Sequence, residues 1–471
     1  MIQSVYKTIA GTLLTLGFGL ITIKVLALIA GPTGVGLLSI LRQLQQTGSL
    51  IGSIGGQTAL IQGLASRRGQ EKLLYTKTAM IAYFVCSGLV AVILWLTAPS
   101  IAQFIFDDPT LIKIGMDLTS QITLVKWSIL AVIIGVVMIF FQGILNGYRA
   151  LGRLALLQVV GAVIGAILVY PSALLFKINQ PTAIFFILVG SLLGSAITGG
   201  YAVWKAGWLA GIWRVKIESS VQKAFTKLAF SILLANLLSL LTLLFLRSKI
   251  IGDFGLYKAG LFDAAWTISN TYVLIVLSSL GTYYLPTLSA ASNLGEQQLL
   301  IRKVLTWCTA ASIPLICTLI LLRDPILYLL YSEQFTESSQ VMRFMLLGDY
   351  LKICSWVLAM PLVALAKPSA FLLGEVVANA TFLLFGLTTN TLQGIGMAFL
   401  MSYIVYLIYI IVLALHSKYI RIKNLLPWLY GTFFISSISF LSWQQPLAWY
   451  TIFGLLVASF FIGFWVLRGT K

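Results

Sequence analysis

The chain has 471 residues, of which 59% are hydrophobic and 9% charged, and its formal net charge is +18. Ordinary globular domains carry about 25% charged residues, so a chain this apolar has too little polar surface to face water and reads as lipid-embedded. That excludes secreted disulfide scaffolds, disordered tails and cytosolic enzymes. It also turns the basic excess from a nucleic-acid signal into a record of topology.

A spanning helix needs about 20 mostly apolar residues. Fourteen stretches qualify, near 8–30, 36–63, 74–98, 120–144, 154–176, 182–204, 228–246, 259–285, 304–322, 344–366, 369–388, 394–415, 427–443 and 447–467. The first runs on as a span without a cleavage site, so no signal peptide is expected. With a cytoplasmic N-terminus, 20 of the 31 basic residues fall on the cytoplasmic side, 7 on the opposite side and 4 within spans. Both termini inside then satisfies the positive-inside rule. The fold class expected is an all-α polytopic membrane protein of about 14 transmembrane helices.

Soluble chemistry finds little support. The dipeptide Gly-Lys never occurs, which removes a Walker A phosphate loop. Cys86, Cys308, Cys317 and Cys354 sit in apolar spans without paired spacing and read as small hydrophobes. His416 is the only histidine, too few for zinc. No catalytic residue, metal or cofactor is expected, and the chain does not read as an enzyme.

The chain echoes itself. IAGPTGVGLLSI from Ile29 resembles IIGDFGLYKAGL from Ile250, placing Gly31 on Gly252 and Gly34 on Gly255 at an offset of 221 residues. PSIAQFIF from Pro99 resembles PILYLLY from Pro325. Two pseudo-symmetric six-helix lobes follow, 1–220 and 221–420, with two further helices in 421–471. Six is even, so the repeat is parallel, a transporter architecture with a midline cavity.

Ionisable residues inside a bilayer cost about 2.5–3.5 kcal/mol each on insertion scales and usually face a cavity or a partner. The spans hold Lys24, Arg42, Lys126 and Lys352, with Asp263, Asp349 and Glu375. Helical rise puts Lys24 and Arg42 roughly 9 Å below the outer surface. Arg42, Gln45, Gln46, Ser49 and Ser53 recur at helical spacing as one polar stripe. At an offset of 221 the matching stripe is Asp263, Thr267 and Asn270. Arg42 and Asp263 are expected to meet in an outer gate. The alternative is independent structural pairs, such as Asp349 with Lys352 at i, i+3. Gly48, Gly52 and Gly56, Gly161 and Gly165, and Gly190 and Gly194 are spaced for close helix packing in lipid.

K-x6-GPTGVGL-x4-RQL from Lys24, TYYLPTLS from Thr282, LLRD from Leu321, GDYLKI from Gly348 and ALAKPSAFLLGEV from Ala364 resemble the lipid III flippases of enterobacterial common antigen and the O-antigen translocases. These belong to the superfamily of multidrug exporters and lipid II flippases. The resemblance covers roughly residues 1–418, and the last two spans depart from its twelve-span pattern.

It implies movement of an undecaprenyl-diphosphate-linked oligosaccharide from the cytoplasmic to the periplasmic leaflet of the bacterial inner membrane, by alternating access. Lys24, Arg42, Gln46, Ser49, Asn270 and Lys352 become substrate-binding candidates, with Lys126 added from depth alone. Arg42, Asp263, Asp349 and Glu375 become candidates for gating or ion coupling. Membrane lipid is a further partner, and the resemblance implies a polysaccharide polymerase and a chain-length regulator alongside. A multidrug or organic-cation exporter, a membrane polysaccharide polymerase and a static scrambling protein are the alternatives. The first wants an acidic cavity and the second a large external loop.

Overall fold

The computed structural model describes residues 2–106, 108, 111–112, 115–216, 218–279, 284, 287–288, 293–364, 368–420, 422–444 and 447–468. Among these all regular elements are helices. In chain order they are α1 Ile2–Gly52, α2 Gln57–Ser66, α3 Gln70–Ile105, α4 Leu118–Gly147, α5 Leu151–Lys177, α6 Phe185–Lys205, α7 Ser219–Ser279, α8 Leu294–Leu321, α9 Arg323–Leu330, α10 Ser338–Ala364, α11 Pro368–Thr388, α12 Leu392–His416, α13 Leu426–Gln444 and α14 Trp449–Arg468. Eleven candidate spans, by length and composition, make this a multi-pass membrane protein. Most of the TYYLPTLS motif, and the Leu-Ala-Lys step of ALAKPSAFLLGEV, lie outside the described residues.

Two helices are far longer than a bilayer requires. α1 has 51 residues and α7 has 61. At 1.5 Å per residue each exceeds twice the roughly 30 Å hydrocarbon core. Each is broken at one glycine with positive φ. Gly31 stands at φ 63, ψ −166 and Gly255 at φ 81, ψ 165, a region that side chains with a Cβ avoid. Pro32 follows the first break, with a ring suited to the first turn of a helix and no N–H to satisfy. Leu256 follows the second and does have an N–H, which donates to the buried carboxylate of Asp108 at 3.0 Å. One chemistry removes the orphan donor and the other caps it.

These breaks correct two sequence expectations. The second span, expected at 36–63, stops at Gly52. Ile54 and Gly55 take φ 51 and φ 62, which a helix cannot continue through, and the short α2 follows. The repeat register also shifts. Gly252 stays helical, so the conformational match of Gly31 is Gly255, an offset of 224 rather than 221. Asn270 then answers Gln46, while Arg42 answers Trp266 and no longer Asp263. The segments after the breaks touch backbone to backbone: a Cβ on Gly260 would stand 1.8 Å from Pro32 O, and one on Gly36 2.5 Å from Leu256 O.

The described chain divides into two compact units, Met1–Gly260 with Leu330–Ser332, and Leu261–Leu329 with Glu333–Lys471. In unit 1, Tyr75, Tyr83, Phe140 and Phe225 form the aromatic centre of a core completed by Leu60, Leu64, Ile144 and Leu157. The glycine ladders do pack helices closely. A Cβ on Gly161 would lie 2.1 Å from Ser195 Oγ, and one on Gly48 2.5 Å from Val132 Cγ2. Asp117 caps α4 by accepting from Ser120 N at 3.0 Å, and the Ser120 hydroxyl first, then that backbone bond, hold its carboxyl below the usual range.

In unit 2, Trp266 stacks on Phe382 and meets the edge of Phe399. α13 is clamped at both ends. Tyr350 donates to Trp428 O at 3.2 Å near its start. Arg343 donates to Ser439 O at 2.7 Å and Arg323 to Ser442 O at 3.0 Å near its end. Cations on the last carbonyls complement the negative end of the helix dipole. The Arg343 guanidinium also lies 3.5 Å from the centroid of Trp443.

Candidate transport cavity

Unit 1 lines an open cavity of about 870 Å³. α1 supplies most of its polar wall twice over. Thr12, Thr15 and Thr22 come from the segment before Gly31, and Arg42, Gln45, Gln46, Ser49 and Ser53 from the segment after it. The second set is the polar stripe expected from spacing. Gln57 and Thr58 of α2, Gln142 of α4, Gln158 of α5, Ser191 and Ser195 of α6 and Asn236 of α7 complete the polar lining.

Some of these groups are fixed by neighbours and some are free to act. Gln45 Nε2 donates to Ser49 Oγ at 2.9 Å, and Ser49 Oγ donates to Val132 O at 3.1 Å, tying α1 to α4. Gln57 Nε2 donates to Gln142 Oε1 at 3.2 Å, tying α2 to α4. Gln43, off the cavity, donates to Leu240 O at 2.9 Å and ties α1 to α7. Thr15 and Thr22 turn their hydroxyls back onto the carbonyls of Gly11 and Phe18. Gln46 is exposed in the wall, and Arg42 is half-buried with no carboxylate paired to it among the described residues. Arg42 is the sole ionisable residue among the described lining. It lies eleven residues past Gly31, about 16 Å along the helix.

The remaining candidates sit elsewhere. Lys24 is half-buried next to the lining residue Ile23 but is not itself in the wall. Lys126 is outside the cavity, and its ammonium lies 4.6 Å from the centroid of Trp95, which is 57% exposed. Asp263, Asn270, Asp349, Lys352 and Glu375 belong to unit 2. Asp349 is fully buried. One of its oxygens accepts from Ser269 Oγ at 2.5 Å, and the other has no hydrogen-bond partner among the described residues. No ion pair between Asp349 and Lys352 is present among them; the Lys352 ammonium lies 5.5 Å from the Tyr403 ring centroid. Glu375 accepts from Tyr406 OH at 3.2 Å. Asp263 and Asn270 are half-buried on α7.

Sequence spacing missed Gln57, Gln142 and Gln158. Each is the only amide that its helix contributes to the wall, and the available signal was an amide in an apolar run, as in IFFQGIL around Gln142.

The cavity and broken helices are features of a membrane transporter fold. A lipid II flippase, MurJ, in an inward closed conformation superposes with a TM-score of 0.63 at 14% identity, over 100% of this chain and 98% of that one. An inward-facing multidrug resistance transporter of the MATE family, in the MOP superfamily, gives 0.65 at 14% identity, over 90% and 95%.

Residues 25–340 match the polysaccharide biosynthesis protein family, and the chain belongs to it. Among curated relatives, the lipid III flippase of Escherichia coli (strain K12) is 25% identical over 418 residues, covering 85% of this chain and 94% of that protein. The lipid III flippase of Shigella flexneri matches to the same extent. The resemblance read from the motifs is borne out.

Proposed function

We propose that this protein is a flippase that carries an undecaprenyl-diphosphate-linked oligosaccharide from the cytoplasmic to the periplasmic leaflet by alternating access. The observation that carries this reading is the cavity wall of unit 1: hydroxyls and amides around one unpaired arginine. Sugars are recognised by groups that both donate and accept, which the exposed Gln46 supplies. A diphosphate is recognised by charge-assisted bonds, which the Arg42 fork supplies. An organic cation meets no carboxylate among the described lining residues, which disfavours the exporter alternative. The lipid III flippase relatives support the same reading.

The layout that fits is fourteen crossings in two pseudo-symmetric lobes with an added pair. α1 and α7 each count twice across their glycine breaks, and α13 adds the shortest crossing. The excess of basic residues at one set of loops supports cytoplasmic termini in the inner membrane. Lys24 in unit 1, and Lys352 and Asn270 in unit 2, are each assigned to substrate binding, as is Arg42. Asp263, Asp349 and Glu375 are assigned to gating or ion coupling, with the unpartnered oxygen of Asp349 as the strongest indication. A membrane potential contributes about 2.3 kcal/mol per charge per 100 mV, so an inside-negative membrane favours outward passage of the diphosphate without ATP.

Complementation tests the function. The gene is expected to restore surface polysaccharide in a strain lacking its lipid-linked oligosaccharide flippase. Restored drug resistance in an exporter-deficient strain, without polysaccharide, contradicts it.

A further inference from the structure

Away from the cavity, unit 1 carries a second polar construction at the end where the α2–α3, α4–α5 and α6–α7 connections meet. Residues 66–72, 147–153 and 205–218 hold eight basic residues against Glu71 and Glu218. Both acids are exposed, and neither is in an ion pair among the described residues. The connections are joined by an aromatic platform. Tyr148 and Trp208 stack at 4.3 Å between centroids with planes 7° apart. The Lys72 ammonium lies 4.5 Å from the centroid of Tyr148, and the Arg153 guanidinium 5.4 Å from that of Trp208. Neither cation is paired with a carboxylate among the described residues. None of the platform residues lines the cavity. Beside them Trp204 and Trp213 are each 76% exposed.

Rings can hold a cation in place without neutralising it, because the attraction is to the ring quadrupole and the net charge remains. Exposed tryptophans settle at headgroup depth, and basic residues there attract anionic lipid. A small soluble anion has no use for exposed indoles, whereas a lipid headgroup with its glycerol backbone satisfies both features. We infer that this platform is a binding site for the headgroup of an anionic phospholipid, with Lys72 and Arg153 taking the phosphate and Trp208 positioning them. The inference does not depend on which solute the cavity carries.

The test uses the full chain in bilayers of phosphatidylcholine with spin-labelled phosphatidylglycerol or spin-labelled phosphatidylcholine, reading the lipid fraction immobilised by the protein. The native protein is expected to retain phosphatidylglycerol preferentially. Lys72→Gln with Arg153→Gln is expected to lower that preference roughly 20- to 30-fold at the platform site, from about fivefold per basic residue near an anionic surface. Trp208→Leu, which leaves every charge in place, is expected to lower it as well. Lys223→Gln with Lys227→Gln, at the exposed start of α7, is expected to leave it unchanged. An unaltered thermal transition in detergent establishes that each variant is folded. Equal loss in the α7 variant means diffuse attraction and overturns the inference, as does an unchanged preference in the platform variants. Full displacement by millimolar inorganic phosphate also overturns it, by marking a small-anion site.

Discussion

Arg42 lies within a candidate membrane span with no carboxylate paired to it among the described residues, and that is costly unless something anionic visits it. Hydrogen bonds to charged groups contribute about 1.5–3 kcal/mol, so Arg42→Ala is expected to slow flipping roughly 10- to 100-fold in a proteoliposome assay. Arg42→Lys is expected to recover part of that rate, since an ammonium keeps the charge but loses the two-pronged fork. Gln142→Leu strands the Gln57 amide and is expected to weaken transport less than removal of Arg42 does, with the same assay deciding. Arg42, Gln45, Gln46 and Ser49 were legible in the sequence because one helix carries them all at helical spacing. Gln142 and Gln158 were not, because residues from different helices share no period. Lys126 is not among the cavity's lining, and depth along a span could not show that, because a lysine in an apolar helix also finds company on an exposed indole, as it does on Trp95.

At the scale of elements, the glycine breaks organise unit 1. Asp108→Ala leaves the Leu256 N–H without its acceptor beside a buried backbone. The expected loss is about 1–3 kcal/mol, visible as a lower thermal transition in detergent. Gly260→Ala drives a Cβ into Pro32 O and is expected to destabilise the protein by the same measurement. Arg343→Ala frees the end of α13, and faster hydrogen exchange in α13 and α14 than in α12 is the expected signature. Most helices were legible from apolar length alone. The one-residue breaks were not, because hydropathy cannot distinguish a loop from a single residue at positive φ. The motif was visible at Gly31-Pro32, but after its counterpart Gly255 the N–H of Leu256 is capped by a carboxylate 148 residues away, a partner no local pattern reveals.

At the scale of the molecule, membership of the polysaccharide biosynthesis protein family and the transporter fold agree with a polar, nearly uncharged cavity wall. Of the 31 basic residues behind the +18 that first described the chain, a single arginine stands in that wall among the described residues. The central claim is that this wall moves a diphosphate-linked glycan. The direct measurement is transfer of an undecaprenyl-diphosphate-linked oligosaccharide across proteoliposomes with an imposed inside-negative potential, for the native chain and for Arg42→Ala. The account predicts outward transfer that slows when the potential is collapsed and falls at least tenfold in the variant. Transfer that is absent in the native chain, or equal in the two, contradicts it.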